Sequence, residues 1–120
     1  MTRLSTLALS ATLALTAGAA SAHHGWTSYS NQEGQVAGVV ESAELGAPHG
    51  LIKVRAADGV WDVMLAPPAA IQRSGLTLDA IPRGTSVTAK GHKRIGGTKE
   101  IKTERLVVGD RTFDLYPARN

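Results

Sequence analysis

The residues of this chain best suited to chemistry are its four histidines, and two of them, His23 and His24, stand side by side. If the chain is cut just before them, His23 becomes the first residue, and its free amine and imidazole Nδ1 can grip one metal ion as a chelate. A second imidazole, or His24 through its own ring and backbone nitrogen, completes a T-shaped set of three nitrogens. Copper(II) favours imidazole ligands in tetragonal geometry, so copper is the cofactor this pattern points to. His49 and His92 are the candidates to join His23 and His24 as ligands. Trp26 and Tyr29 follow closely; they are candidates either to pack this segment onto a domain or to wall a ligand pocket.

The amine-led arrangement is similar to the histidine brace of secreted copper proteins. Other chemistries are excluded by composition and motif. The chain has no cysteine, so disulfides and thiolate ligands are ruled out and any metal site must use nitrogen and oxygen. It has no Gly-x-Ser-x-Gly elbow, no phosphate loop and no His-Glu-x-x-His pair. Asp and Glu are spread singly, and strand alternation sends Glu41 and Glu44 to opposite faces. The acidic residues therefore read as solvated surface, and no catalytic role is assigned.

The 13 Lys and Arg against 10 Asp and Glu are too balanced to argue for nucleic acid. Lys90, Lys93, Arg94, Lys99 and Lys102 do cluster, but no aromatic lies between Trp61 and Phe113 to stack on bases. The cluster reads as a solvated basic hairpin.

The cut that would expose His23 has its own signal. Arg3 is followed by an apolar stretch from Leu4 to Ala17 and by Ala20-Ser21-Ala22, whose small side chains suit a signal peptidase. The stretch is broken by Ser5, Thr6, Ser10, Thr12 and Thr16 and falls short of the roughly 20 residues of a membrane-spanning helix. Residues 1–22 are thus expected to be a cleaved signal peptide, with a periplasmic or secreted product and no membrane span after cleavage. What remains of the 120 residues is one domain's worth of chain.

The elements that must position the histidines follow from periodicity. Residues 23–34 read as an extended arm, and residues 35–120 as the folded domain. Gln35 to Leu45 is Val-rich and imperfectly alternating, as in a strand with both faces partly covered, and Gly38 allows it to coil. Gly46 to Gly50 form a loop. Residues 51–56 alternate cleanly with Ile52, Val54 and Ala56 inward. A turn at Ala57-Asp58-Gly59 leads to a strand from Val60 to Ala66, with Trp61, Val63 and Leu65 on one face. Pro68 suits a helix first turn, so Ala69 to Ser74 are read as a short helix capped by Gly75. After the Pro82-Arg83-Gly84 turn comes a strand over residues 85–91 with Val87 and Ala89 inward. Gly96-Gly97 make a hairpin loop, Ile101 to Val108 a long strand, and Phe113 and Leu115 mark a short terminal one. Three strands, a helix and two strands plus an extension define an all-β fold, a small five- to six-stranded OB-like barrel with one short helix between strands three and four. In such a barrel the loop holding His49 and the loop that begins at His92, at the end of strand four, flank one face.

The ordered set Ala-His-His-Gly-Trp, a Tyr three residues on, Pro-His-Gly, Trp-Asp-Val-x-Leu-Ala-Pro-Pro, Gly-Leu-Thr and Pro-x-Gly resembles a family of small exported bacterial proteins known only as a domain of unknown function. Its most specific marks fall at His23, His24, Gly25, Trp26, Tyr29, Pro48, His49, Trp61, Ala66 and Pro67. Members carry Asp after the Tyr and Trp-x-Asn before the Pro-His; here those places hold Ser30 and Glu44-Leu45-Gly46-Ala47, so no role is carried over from them. The resemblance implies export and an OB-like barrel and brings no activity. The functional expectation is a non-enzymatic periplasmic or secreted binding protein that holds copper through His23, with His24, His49 or His92 in support. The alternative is a metal-free OB module for a small molecule, glycan or protein, with the arm as its lid. Its partner is a periplasmic protein or small ligand that the sequence does not name.

Overall fold

A computed structural model describes residues 25–119; the expected signal peptide at 1–22 and both His23 and His24 lie outside the described residues. The chain forms β1 (Gly34–Glu44), β2 (Leu51–Ala56), β3 (Gly59–Met64), α1 (Pro68–Ser74), β4 (Ser86–Lys93), β5 (Glu100–Val108) and β6 (Arg111–Asp114), with single 3-10 turns at Leu78–Ala80 and Pro117–Arg119. The alternation of β2 holds, with Ile52 and Val54 buried and Lys53 and Arg55 turned outward. Trp61 and Val63 of β3 and Val87 and Ala89 of β4 complete the same inner layer. At the β2–β3 hairpin the two-residue turn is Ala57-Asp58, and the positive φ falls on Gly59 alone.

Closure of the sheet depends on β1. Its first half pairs antiparallel with β4 and its second half with β2, Val39 being registered against both Ser86 and Arg55. β5 pairs antiparallel with β4 and, over Asp62↔Glu100 to Met64↔Lys102, parallel with β3. Five strands thus close an OB-like barrel, and β6 adds a sixth on the free edge of β5. Two tight approaches make the coiling feasible. A Cβ at Gly38 would strike the Arg55 carbonyl, and one at Gly91 would strike the Lys102 carbonyl, so both positions need glycine. A bulge lies beside each, between Val40 and Ser42 in β1 and between Lys90 and Gly91 in the β4–β5 ladder. The first interrupts the alternation assumed across Glu41 and Glu44, and Glu41 pairs with Arg55.

Helix α1 plugs one end of the barrel through Ile71, which packs where a side chain on Gly50 would otherwise sit. Pro68 begins it and Gly75 ends it in the left-handed conformation, donating its N–H to the Gln72 carbonyl. β3 stops two residues earlier than its apolar run, because the Leu65 N–H and Ala66 carbonyl turn to bond Gly50. Both side chains nonetheless stay buried. Among the described residues no helix is long and apolar enough to cross a membrane.

Candidate functional site

The densest polar and aromatic cluster lies on the outer face of β4 and β5, beneath the N-terminal arm. Val87, Ala89 and Gly91 occupy the inward positions of β4, so His92 points outward. It is nevertheless covered, with a side chain only 12% exposed, because the arm crosses it. The arm begins not as the extended segment expected but as a helical turn over residues 25–27. It then runs along the end of β4, where the Ser30 N–H donates to the Lys93 carbonyl at 2.8 Å and the Ile95 N–H to the Ser28 carbonyl at 2.9 Å. Tyr29 bridges to Arg94.

Each ring nitrogen of His92 has a partner. Nδ1 donates to the Ser30 carbonyl at 2.8 Å, since a carbonyl can only accept, and Nε2 lies 2.9 Å from Glu104 Oε1. Glu104 is buried, which corrects the reading of every acidic residue as solvated surface. The physical reason is the β4–β5 bulge: Lys90 faces Arg105 and Gly91 faces Thr103, so Glu104 is the extra residue, re-aimed toward the strand's covered flank. The same oxygen accepts from Arg119 Nε at 3.0 Å, and the Glu104 carbonyl accepts the Leu115 N–H at 2.8 Å. Glu104 therefore ties β4, β5 and the C-terminal segment together.

Trp26 is the centre of the aromatic half. Its ring meets His92 edge-on at 5.9 Å and Tyr116 at 5.1 Å. The Arg119 guanidinium lies 3.8 Å from its centroid and Lys102 Nζ 4.5 Å, favourable placements of cations over an electron-rich face. Lys102 Nζ also donates to the Gly25 carbonyl at 2.5 Å. Burial, then the neighbouring Arg119, lowers the pKa of Lys102. Beside this cluster the Tyr29 hydroxyl donates to Glu100 Oε2 at 2.5 Å. Burial, followed by that hydrogen bond and the Glu100 charge, pushes the Tyr29 pKa up to about 12. Arg94 pairs with the same carboxylate at 3.2 Å.

Of the six residues singled out from sequence, the structure brings Trp26, Tyr29 and His92 to one place. His49 is exposed in the β1–β2 loop, and His23 and His24 lie outside the described residues. Among the described residues no three His, Cys, Asp or Glu side chains group closely enough to hold a metal ion. Four contributors to the cluster escaped sequence reasoning: Lys102, Glu104, Tyr116 and Arg119. Only Glu104 left a trace, since the inward spacing of β5 steps from Thr103 to Leu106 and so marks a bulge. The model of DUF6152, a family of unknown function, matches residues 11–104. No curated protein and no solved structure matches the chain.

Proposed function

The chain belongs to the DUF6152 family, and from its own residues we propose that it is a non-enzymatic binding protein of the periplasm or cell exterior that holds copper(II) at the His23 end of its docked arm. The observation that carries this reading is the anchoring of Gly25 and Trp26, by Lys102 Nζ and by the His92, Tyr116 and Arg119 contacts. A metal site led by a terminal amine works best when the residue that follows it is held still, because ordering a loose terminus subtracts from binding. Here the chain is pinned at the first two positions after His23-His24.

In this reading the donors are the His23 amine and imidazole together with His24. The ring nitrogens of His92 are spent on Ser30 and Glu104, so His92 acts by fastening the arm. Exposed His49 lies outside the donor set. The non-enzymatic character rests on the same pair. The imidazole and carboxylate most suited to proton transfer are both engaged in holding structure, under the cover of Trp26. Export rests on the Arg3, apolar stretch and Ala20-Ser21-Ala22 pattern.

The test is copper(II) titration of protein exported and processed so that mass spectrometry shows His23 as residue one, against the same protein with one added N-terminal Gly. One-to-one binding weakened by more than about 100-fold on adding Gly is expected, since the chelating amine becomes an amide. Equal affinities for the two forms would overturn the reading.

A further inference from the structure

A groove of about 420 Å³ runs between α1 and the C-terminal turn. Ala69 and Ala70 of the helix form one wall, Leu115 and Tyr116 the other, and Arg73 and Arg119 stand at the rim. The size and the apolar lining suit a small ligand held by a few polar groups. The two arginines differ. Arg119 is committed to Glu104 and to the face of Trp26. Arg73 is exposed in the last turn of α1, and among the described residues its guanidinium has no ion-pair partner. Among the described residues no acidic side chain lines the groove, so the charges they bring to it are cations over an apolar floor.

We propose that this groove binds a small amphiphile with an apolar body and one carboxylate head, the body lying on Ala69, Ala70 and Leu115 and the head meeting Arg73. The body removes apolar surface from water on both sides of the contact. The head supplies what no described residue gives Arg73, a planar anion that a guanidinium can hold with two parallel hydrogen bonds. A neutral or cationic head of the same chain length satisfies the floor but not the rim, so the groove discriminates by charge. The proposal is independent of the copper reading, because no histidine takes part. Tyr116 separates the groove from Trp26 and touches both, which gives the groove a built-in optical reporter.

The experiment titrates the protein with decanoate, decanol and decylammonium below their micelle-forming concentrations, following backbone amide resonances and tryptophan fluorescence. Saturable decanoate-dependent shifts at Ala69, Ala70, Leu115 and Tyr116 are expected, with decanol binding about tenfold more weakly and decylammonium weaker still. Arg73→Gln should bring decanoate down to the decanol level without moving the unfolding midpoint. Ala69→Trp, at an exposed helix position, should fill the groove and abolish both. Equal affinity for decanoate and decanol, a charge preference that survives Arg73→Gln, shifts that map elsewhere, or no saturable shift would each overturn the proposal. The ligand series on the unaltered protein decides the question even if the Trp variant fails to fold.

Discussion

His92 Nε2 lies 2.9 Å from Glu104 Oε1, and the two side chains are only 12% and 5% exposed. One side chain faces the arm from β4 and the other is thrown out of register by the bulge in β5, so their contact joins the barrel wall to everything that covers it. Because Glu104 also receives Arg119, one buried carboxylate organises the whole cluster.

Replacing that carboxylate should therefore be felt globally. Glu104→Gln puts a neutral amide in place of the carboxylate whose one oxygen meets both His92 Nε2 and Arg119 Nε in a site with little water, and a loss of about 2–3 kcal/mol is expected. Urea unfolding measures it, and a change below about 0.5 kcal/mol, the size of an ordinary surface substitution, would show that the carboxylate does not organise the site.

Trp26→Ala should release the arm while leaving the barrel folded. The residue sits between Tyr116, His92 and two cations, and such contacts are each worth about 0.5–1.5 kcal/mol. Hydrogen exchange should quicken at Ser30 and Ile95, whose N–H groups bond across the arm, and stay unchanged at Val63 in the β3–β5 junction. Uniform quickening at all three would mean that Trp26 supports the barrel itself.

Both tyrosines should titrate late. Burial and Glu100 push Tyr29 up to about 12, and burial raises Tyr116. A pKa raised on folding means the neutral form is favoured, so the stability from Tyr29 is complete below its unfolded value of about 10 and is lost as pH rises through about 12. Since the chain has only these two tyrosines, tyrosinate absorbance should stay small at pH 10. More than half of the full signal there would contradict the part-buried Tyr29–Glu100 bond. Tyr29→Phe should remove the component that titrates near 12.

Gly91→Ala should cost about 2 kcal/mol or more, because the new methyl meets the Lys102 carbonyl within the β4–β5 ladder and the backbone must move. Gly46→Ala, with nothing near the added carbon, serves as the control and should stay within about 0.5 kcal/mol. Thermal unfolding compares them, and equal midpoints would mean that the ladder yields at Gly91 without strain.

The barrel was largely determined by local pattern. Alternation at Ile52 and Val54 marks β2 because side chains two apart share a face. Pro68 and Gly75 mark the ends of α1 because each dictates its own backbone angles. Such signals need no knowledge of distant neighbours, and so the order of strands and helix can be read along the chain. The site cannot. His92 stands out as an imidazole, yet nothing near it in sequence says that its nitrogens meet Ser30 and Glu104, 62 and 12 residues away. Glu104 looks like any solvated acid until the bulge rotates it and Arg119 folds back upon it. Tyr116 becomes a wall of two surfaces only when the C-terminal segment, held by the Glu104 carbonyl, passes between Trp26 and α1. Sequence determines which groups exist and on which side of a strand they begin. Register, bulge and chain return decide which of them meet, because those depend on closing the sheet as a whole.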